Sequence, residues 1–328
     1  MPSWSTHLKT FIATVLLSIA VVYLFIVLVD PYDSVPFSLP LEREPVSTNQ
    51  RFAYPSLARK PNFDSAIIGT STARLLNPER LNQLTGDSWV NLAMNSATAY
   101  EQMEMLKLFL RHHRGAKHIV IGIDDAWCRP GKALQKFTFR PFPPWMYDEN
   151  RWNDLLYLFN DKALENTVRL LEYWQGKREA KYDRTGYRDF TADFGEYDLA
   201  RARKKLYRSG KQDFEELPAG IDPTGSDKPY ATLKLLGELI ESKAGDTDIT
   251  LLYMPLHAHH LVKNRTNYQA CKGKLQGIAG DFVARLNILD RMQIDTLTRD
   301  DANYWDPLHF TNRVAMQLEE ELSLLMQD

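Results

Sequence analysis

Ser71 sits in the stretch "DSAIIGTSTARLLNP" (Asp64–Pro78), just after a short apolar run that stops at Gly69. Asp306 and His309 stand three residues apart in "YWDPLHFTNRVAMQL" (Tyr304–Leu318). A serine hydroxyl is a weak nucleophile and needs a base. Histidine serves as that base, and a carboxylate fixes its tautomer and stabilises the imidazolium. Asp306 and His309 on one turn can meet side chain to side chain. The plainer reading makes Ser71 the cap of the next helix. It leaves Asp306 and His309 as loop residues ahead of a helix capped by Thr311 or Asn312.

The elements that must bring these residues together alternate between strand and helix. "SAIIG" reads as a first strand, Ser88–Met94 as a second, His118–Asp124 as a third and Asp248–Pro255 as a fourth. Ala99–His113 carries Met103, Leu106 and Leu110 at helical spacing. A helix is expected around Tyr268–Leu286, and an amphipathic one from about Thr311. The pattern predicts an α/β fold with a doubly wound parallel sheet, whose ligands sit at the carboxyl ends of the strands. The chemistry-bearing stretches fall at or near such ends.

Outside that pattern lie three further segments. Thr10–Val29, "TFIATVLLSIAVVYLFIVLV", has no charged residue. Its roughly 20 residues at ~1.5 Å each match a hydrocarbon core about 30 Å thick. It is longer than a signal-peptide core and runs straight into Asp30-Pro31, so an uncleaved transmembrane anchor (1–30) is expected; a buried core helix is the alternative. Lys9 precedes the run, and Asp30 and Asp33 follow it. The positive-inside rule then puts the N-terminus in the cytoplasm and the body in the periplasm or outside the cell, on a single pass. Residues 31–62 hold Pro31, Pro36, Pro40, Pro45, Pro55 and Pro61, and read as an extended tether. Within the domain at 63–328, the span of about 129–230 is aromatic and charged and reads as a partly helical insertion. Its basic run, Lys177–Lys211, is either a solvated lid or a contact for polysaccharide or anionic lipid.

Composition narrows the function. The chain has 328 residues, 44% apolar and 25% charged, with a net charge of −2. That balance is globular and offers no basic footprint for nucleic acid. The only cysteines, Cys128 and Cys271, exclude a disulfide framework but allow one bridge. Cys128 alone would read as a small buried hydrophobe or a reactive thiol. "LHAHH" (Leu256–His260) has His257 and His259 two apart and no acidic residue within it, so a structural or substrate-side loop is expected rather than a metal site. There is no GxGxxG or GxxxxGK[ST] after a strand, hence no phosphate cradle. No cofactor is expected.

Taken together, four stretches resemble the blocks of the SGNH (GDSL-like) hydrolase superfamily, which carry Ser, Gly, Asn and His. "IIGTS" is similar to the first, with Thr70 where the family has Asp. "VNLAMNSAT" (Val90–Thr98) is similar to the second, "VIGIDDAW" (Val120–Trp127) to the third and "WDPLHF" (Trp305–Phe310) to the last. The layout resembles the membrane-anchored branch associated with O-acetylation of polysaccharides. The resemblance implies Ser71 as nucleophile, His309 as base and Asp306 as its orienter. Oxyanion donors would be the backbone amides of Ser71 and Ser96 and the family's asparagine, here Asp124. An ionised aspartate cannot donate. Three arrangements follow: Asp124 protonated by burial beside Asp125, Asn95 supplying the amide, or an impaired site. Asn95 is the expected donor. Arg74 either binds an anionic substrate group or pairs with a nearby carboxylate.

Two functions are therefore in view. One is serine-dependent acyl transfer or ester hydrolysis on a carbohydrate polymer, the anchor placing the domain beside a membrane acyl-donor protein. The other is a catalytically impaired accessory protein that binds a glycan or a membrane partner.

Overall fold

The computed structural model describes residues 3–131, 134–208, 229–281 and 286–327. In chain order the helices are α1 (Trp4–Val29), α2 (Gln50–Arg59), α3 (Pro78–Thr85), α4 (Ala99–His112), α5 (Asp154–Tyr157) and α6 (Asp161–Trp174), then α7 (Leu199–Tyr207), α8 (Ala231–Lys243), α9 (Ala258–Lys263), α10 (Arg265–Asp281), α11 (Thr296–Arg299) and α12 (Asn312–Leu325). The strands are β1 (Ser65–Ile68), β2 (Trp89–Asn91), β3 (His118–Ile123), β4 (Asp248–Tyr253) and β5 (Leu286–Asp290).

The chain divides into two compact units. One contains the N-terminal residues up to Ser56 together with Pro143–Tyr182; the other contains Leu57–Phe142 and Asp183 onward. The second unit holds the sheet. Its strands are all parallel, in the order β2-β1-β3-β4-β5. From β1 the chain goes to β2 on one side, then returns past β1 to β3 on the other. Ile67, Val90, Val120, Ile121 and Leu252 are buried, as expected of parallel strands covered on both faces. The expected helical face of α4, Met103, Leu106 and Leu110, is buried too.

Several expectations need correction. Tyr268–Leu286 is not one helix: α10 ends at Asp281, and Leu286 opens β5, paired with β4 from Ile249↔Leu286 to Tyr253↔Asp290. Residues 31–62 are not extended throughout, because 50–59 form α2 with Pro55 inside it. Pro55 has no N–H to give the Arg51 carbonyl, and the Tyr147 hydroxyl donates to that carbonyl instead, at 3.0 Å. Residues 129–230 divide between the units: Pro143–Tyr182 cluster with the N-terminal unit, while the described residues from Asp183 to Arg208 belong to the sheet unit. The end of the basic run, through Lys211, lies outside the described residues. Cys128 is neither a lone hydrophobe nor a free thiol; it is bonded to Cys271 of α10.

In the N-terminal unit, α1 is long and apolar enough to cross a membrane, with mean hydropathy 3.0 in its most apolar window. Its last turn is tied down by protein. Val29 packs with Val46 and Leu170, and Arg43 Nε donates to the Val29 carbonyl at 3.0 Å, satisfying one of the exposed acceptors at the helix end. Asp30 ends the helix with φ 45° and accepts the Ser34 amide at 3.1 Å.

The disulfide closes a loop across a sequence separation of 143. Removing it with Cys128→Ser/Cys271→Ser is expected to cost about 2–5 kcal/mol. Urea unfolding in detergent checks this, and an unchanged midpoint would contradict it.

Candidate active site

The strand ends build the serine turn. β1 stops at Ile68, and the chain turns through Gly69, Thr70 and Ser71 into a short 3₁₀ turn at Ala73–Leu75. Ala73 folds down over the ends of β1 and β3. A Cβ at Gly69 would lie 2.5 Å from the Ala73 Cβ, and one at Gly122 would lie 2.9 Å from it. Only residues without a side chain allow that approach. The Thr70 hydroxyl donates to Asp124 Oδ2, and the Thr72 hydroxyl donates to the same oxygen at 3.0 Å. The residues on either side of Ser71 are thereby tied to the end of β3.

The base arrives from the far end of the chain. Trp305 N–H donates to the His309 carbonyl at 2.8 Å, and Thr311 N–H donates to the Asn303 carbonyl at 2.8 Å, closing the loop before α12. Asp306 Oδ1 accepts the Leu308 and His309 amides at 2.9 and 3.0 Å. Its Oδ2 lies 2.8 Å from His309 Nδ1, and His309 Nε2 lies 2.8 Å from Ser71 Oγ. With Nδ1–H donating to the carboxylate, Nε2 is left to accept the serine proton. Burial works against the Asp306 charge, but the His309 bond and charge and the two amides together hold its carboxyl below the ordinary carboxylate value. Asp306 thus stays ionised and keeps the ring in that tautomer.

Phe190 and Phe194 wall the imidazole, with ring centroids 5.4 and 6.5 Å away. Sequence reasoning missed both; the signal available was the aromatic density of the span containing them. Arg74 lies over the Phe190 ring, 4.8 Å from its centroid, and donates to Asn95 Oδ1 at 2.6 Å. Arg74 is only 4% exposed.

A cavity of about 410 Å³ opens at this point, lined by Thr70, Ser71, Ser96, Asp124, Asp125 and Phe139, among others. Ser96 is exposed on its wall with φ 53°, in the left-handed region. Asn95 is not among the lining residues; its side-chain oxygen accepts from Arg74, a bond that does not engage the donor end of the amide. Asp124 does line the cavity. Besides the two threonine hydroxyls, it accepts the Ala126 amide at 2.9 Å. Burial pushes its carboxyl up, the Asp125 charge adds to this, and the three hydrogen bonds do not cancel it. Of the three arrangements expected for the oxyanion side, the shift runs in the direction of the neutral acid.

The "LHAHH" histidines go to separate partners. His257 Nε2 lies 3.1 Å from Asp301 Oδ1, an oxygen that also accepts the Tyr207 hydroxyl at 2.5 Å. The second Asp301 oxygen takes Arg203 Nε at 2.7 Å. The His257 amide donates to the Pro307 carbonyl at 3.0 Å, so this buried cluster holds the loop that carries Asp306 and His309. His260 Nε2 meets Asp125 at 3.2 Å and the Tyr268 hydroxyl at 2.9 Å. Among the described residues there is no group of His, Cys, Asp and Glu side chains suited to a metal.

A scan against protein-family models finds no match, and neither does a comparison with curated proteins. The geometry of the site therefore carries the functional reading.

Burial lowers His257 from its ordinary 6.5 to about 4. Between those values the unfolded chain holds a proton that the folded chain does not, so stability falls as pH is lowered through that window. The slope attributable to this residue is at most about 1.4 kcal/mol per pH unit. His257→Gln is expected to flatten the fall in urea-unfolding free energy from pH 6.5 to 4. An unchanged slope would show that His257 is not held neutral.

Proposed function

We propose that the chain is a membrane-anchored, SGNH-type acyltransferase or esterase that handles O-acyl groups, acetyl above all, on a cell-surface or exopolysaccharide through an acyl-Ser71 intermediate. The observation that carries this reading is the continuous relay from Ser71 Oγ to His309 to Asp306, each step 2.8 Å long.

In the first half-reaction Ser71 Oγ attacks the ester carbonyl while its proton passes to His309 Nε2. The C–O bond to the leaving alcohol then breaks, and His309 returns the proton to that oxygen. The acyl group remains on Ser71. In the second half the oxygen of water or of a sugar hydroxyl attacks the acyl carbonyl as His309 takes its proton. The bond to Ser71 Oγ breaks, His309 returns the proton to Oγ, and the product is the free acid (hydrolysis) or the acylated sugar (transfer). The resemblance assigns the backbone amides of Ser71 and Ser96 as oxyanion donors. Asp124, in its neutral form, adds a hydrogen bond, as a buried carboxylic acid can.

The strand order β2-β1-β3-β4-β5 supports the doubly wound, flavodoxin-like reading. The cavity at the ends of β1 and β3 lies where such folds bind ligands. Phe139, 84% exposed on the cavity wall, is suited to stacking on a sugar face. The Cys128–Cys271 bond belongs to an oxidising compartment and supports an N-terminus in the cytoplasm with the body on the periplasmic or outer side of the membrane.

The accessory reading rests on one observation: a carboxyl group, Asp124, faces the cavity where an amide donor is expected. Kinetics separate the two. On a small acetyl ester, Ser71→Ala is expected to lower kcat on the order of 10⁶-fold, to background. Asp306→Asn is expected to lower it about 10⁴-fold, with KM little changed. Retained turnover in the Ser71 variant would exclude the enzyme reading.

A further inference from the structure

We infer that the segment Trp152–Phe159, in the N-terminal unit, is a membrane-embedded foot that lies in the bilayer interface beside α1. This rests on the reading of α1 as a membrane span.

The level of the membrane along α1 is marked by its own residues. Trp4 and Tyr23 are 19 positions apart. At ~1.5 Å per residue that is about 28 Å, close to the roughly 30 Å of a hydrocarbon core, with Lys9 between them reaching back along its long side chain to the near headgroups. Tryptophan and tyrosine gather at the two faces of that core, where an amphipathic ring meets the headgroups. The last turn of α1 does not face lipid as a free helix would. Ile26, Val27 and Val29 are buried, and Val29 packs on Val46 and Leu170. Leu24, Phe25 and Leu28 stay exposed on the opposite side of the helix, so the outer boundary of the core falls in these last two turns, with Tyr23 at its inner edge.

Tyr23 is also the residue that holds the foot. Its hydroxyl donates to the Leu155 carbonyl at 2.7 Å, and its ring meets Phe159 edge-on with centroids 5.4 Å apart. Leu155 and Phe159 consequently sit at the depth of Tyr23. Around them the side chains are large, apolar and uncovered: Trp152 is 65% exposed, Leu156 77% and Phe159 62%. Phe37 extends the patch, with its ring 5.8 Å from that of Trp152. An apolar patch of this kind, hydrogen-bonded to the headgroup level of a spanning helix, is continuous with the lipid-facing surface of that helix. The bilayer is the occupant such continuity selects.

The test uses the full chain in phosphatidylcholine–phosphatidylglycerol nanodiscs. Single spin labels are placed through Leu156→Cys, Phe159→Cys and, as the reference for the span, Leu16→Cys. The native cysteines are bonded to each other and do not compete for label. Accessibility is read to lipid-soluble oxygen and to a water-soluble nickel chelate. The expected result is an oxygen-to-nickel ratio at 156 and 159 several-fold above that of a label in water and approaching that at 16. If 16 reads as lipid while 156 and 159 read as water, the foot is overturned and the span stands. Labels at 156 and 159 shielded from both reagents would mean a protein partner or a second copy covers the patch, which also overturns it. A label at 16 that reads as water overturns the span and the foot with it.

Discussion

The hydrogen bond between His309 Nε2 and Ser71 Oγ joins residues 238 positions apart, and much of the sheet unit can be understood as what makes it possible. A parallel sheet brings distant strand ends to one edge. Gly69, just past the end of β1, and Gly122, in the adjacent β3, let Ala73 settle onto that edge and turn the chain sharply enough to present Ser71. On the other side, the Asp301 cluster and the closed loop from Asn303 to Thr311 hold His309 in reach. Loosening either wall would move one partner of the bond without altering its chemistry, and a misplacement of about 1 Å can cost on the order of 10² in rate.

Electrostatically, the two carboxyl groups near the serine are set apart. Asp306 is held ionised by the imidazole and two amides, which outweigh its burial. Asp124 is buried without a cationic partner among its hydrogen bonds, and burial prevails. One carboxylate thus orients the base, while the other is drawn toward the neutral acid. Environments that push paired carboxyl groups in opposite directions are how a single site assigns different roles to the same functional group.

The sequence was most legible where one physical demand dominated. Strands β1, β3 and β4 each carry a run of buried apolar residues, Ala66–Ile68, Ile119–Ile121 and Leu251–Tyr253, because a central parallel strand is buried on both faces. The D-x-x-H spacing of Asp306 and His309 reflects a turn short enough for the side chains to meet. β5 was not legible: Asn287 and Asp290 interrupt its apolar residues, and its identity comes from pairing with β4. α2 was hidden by Pro55, whose missing hydrogen bond is made good by Tyr147, almost a hundred residues away. The buried Arg74 guanidinium donates to the Asn95 side-chain oxygen, a contact no local pattern announces. Phe190 and Phe194 reach the imidazole only through the tertiary fold.

The central claim is that Ser71 is activated by His309, and covalent trapping tests it most directly. The folded protein is treated with a serine-directed fluorophosphonate, and intact mass and peptide mapping are read. The account predicts one adduct, on Ser71, formed by the native chain and by Asn95→Ala but slowed by orders of magnitude in His309→Ala. A native protein that stays unlabelled while folded, or one that labels Ser71 equally fast without His309, would contradict it.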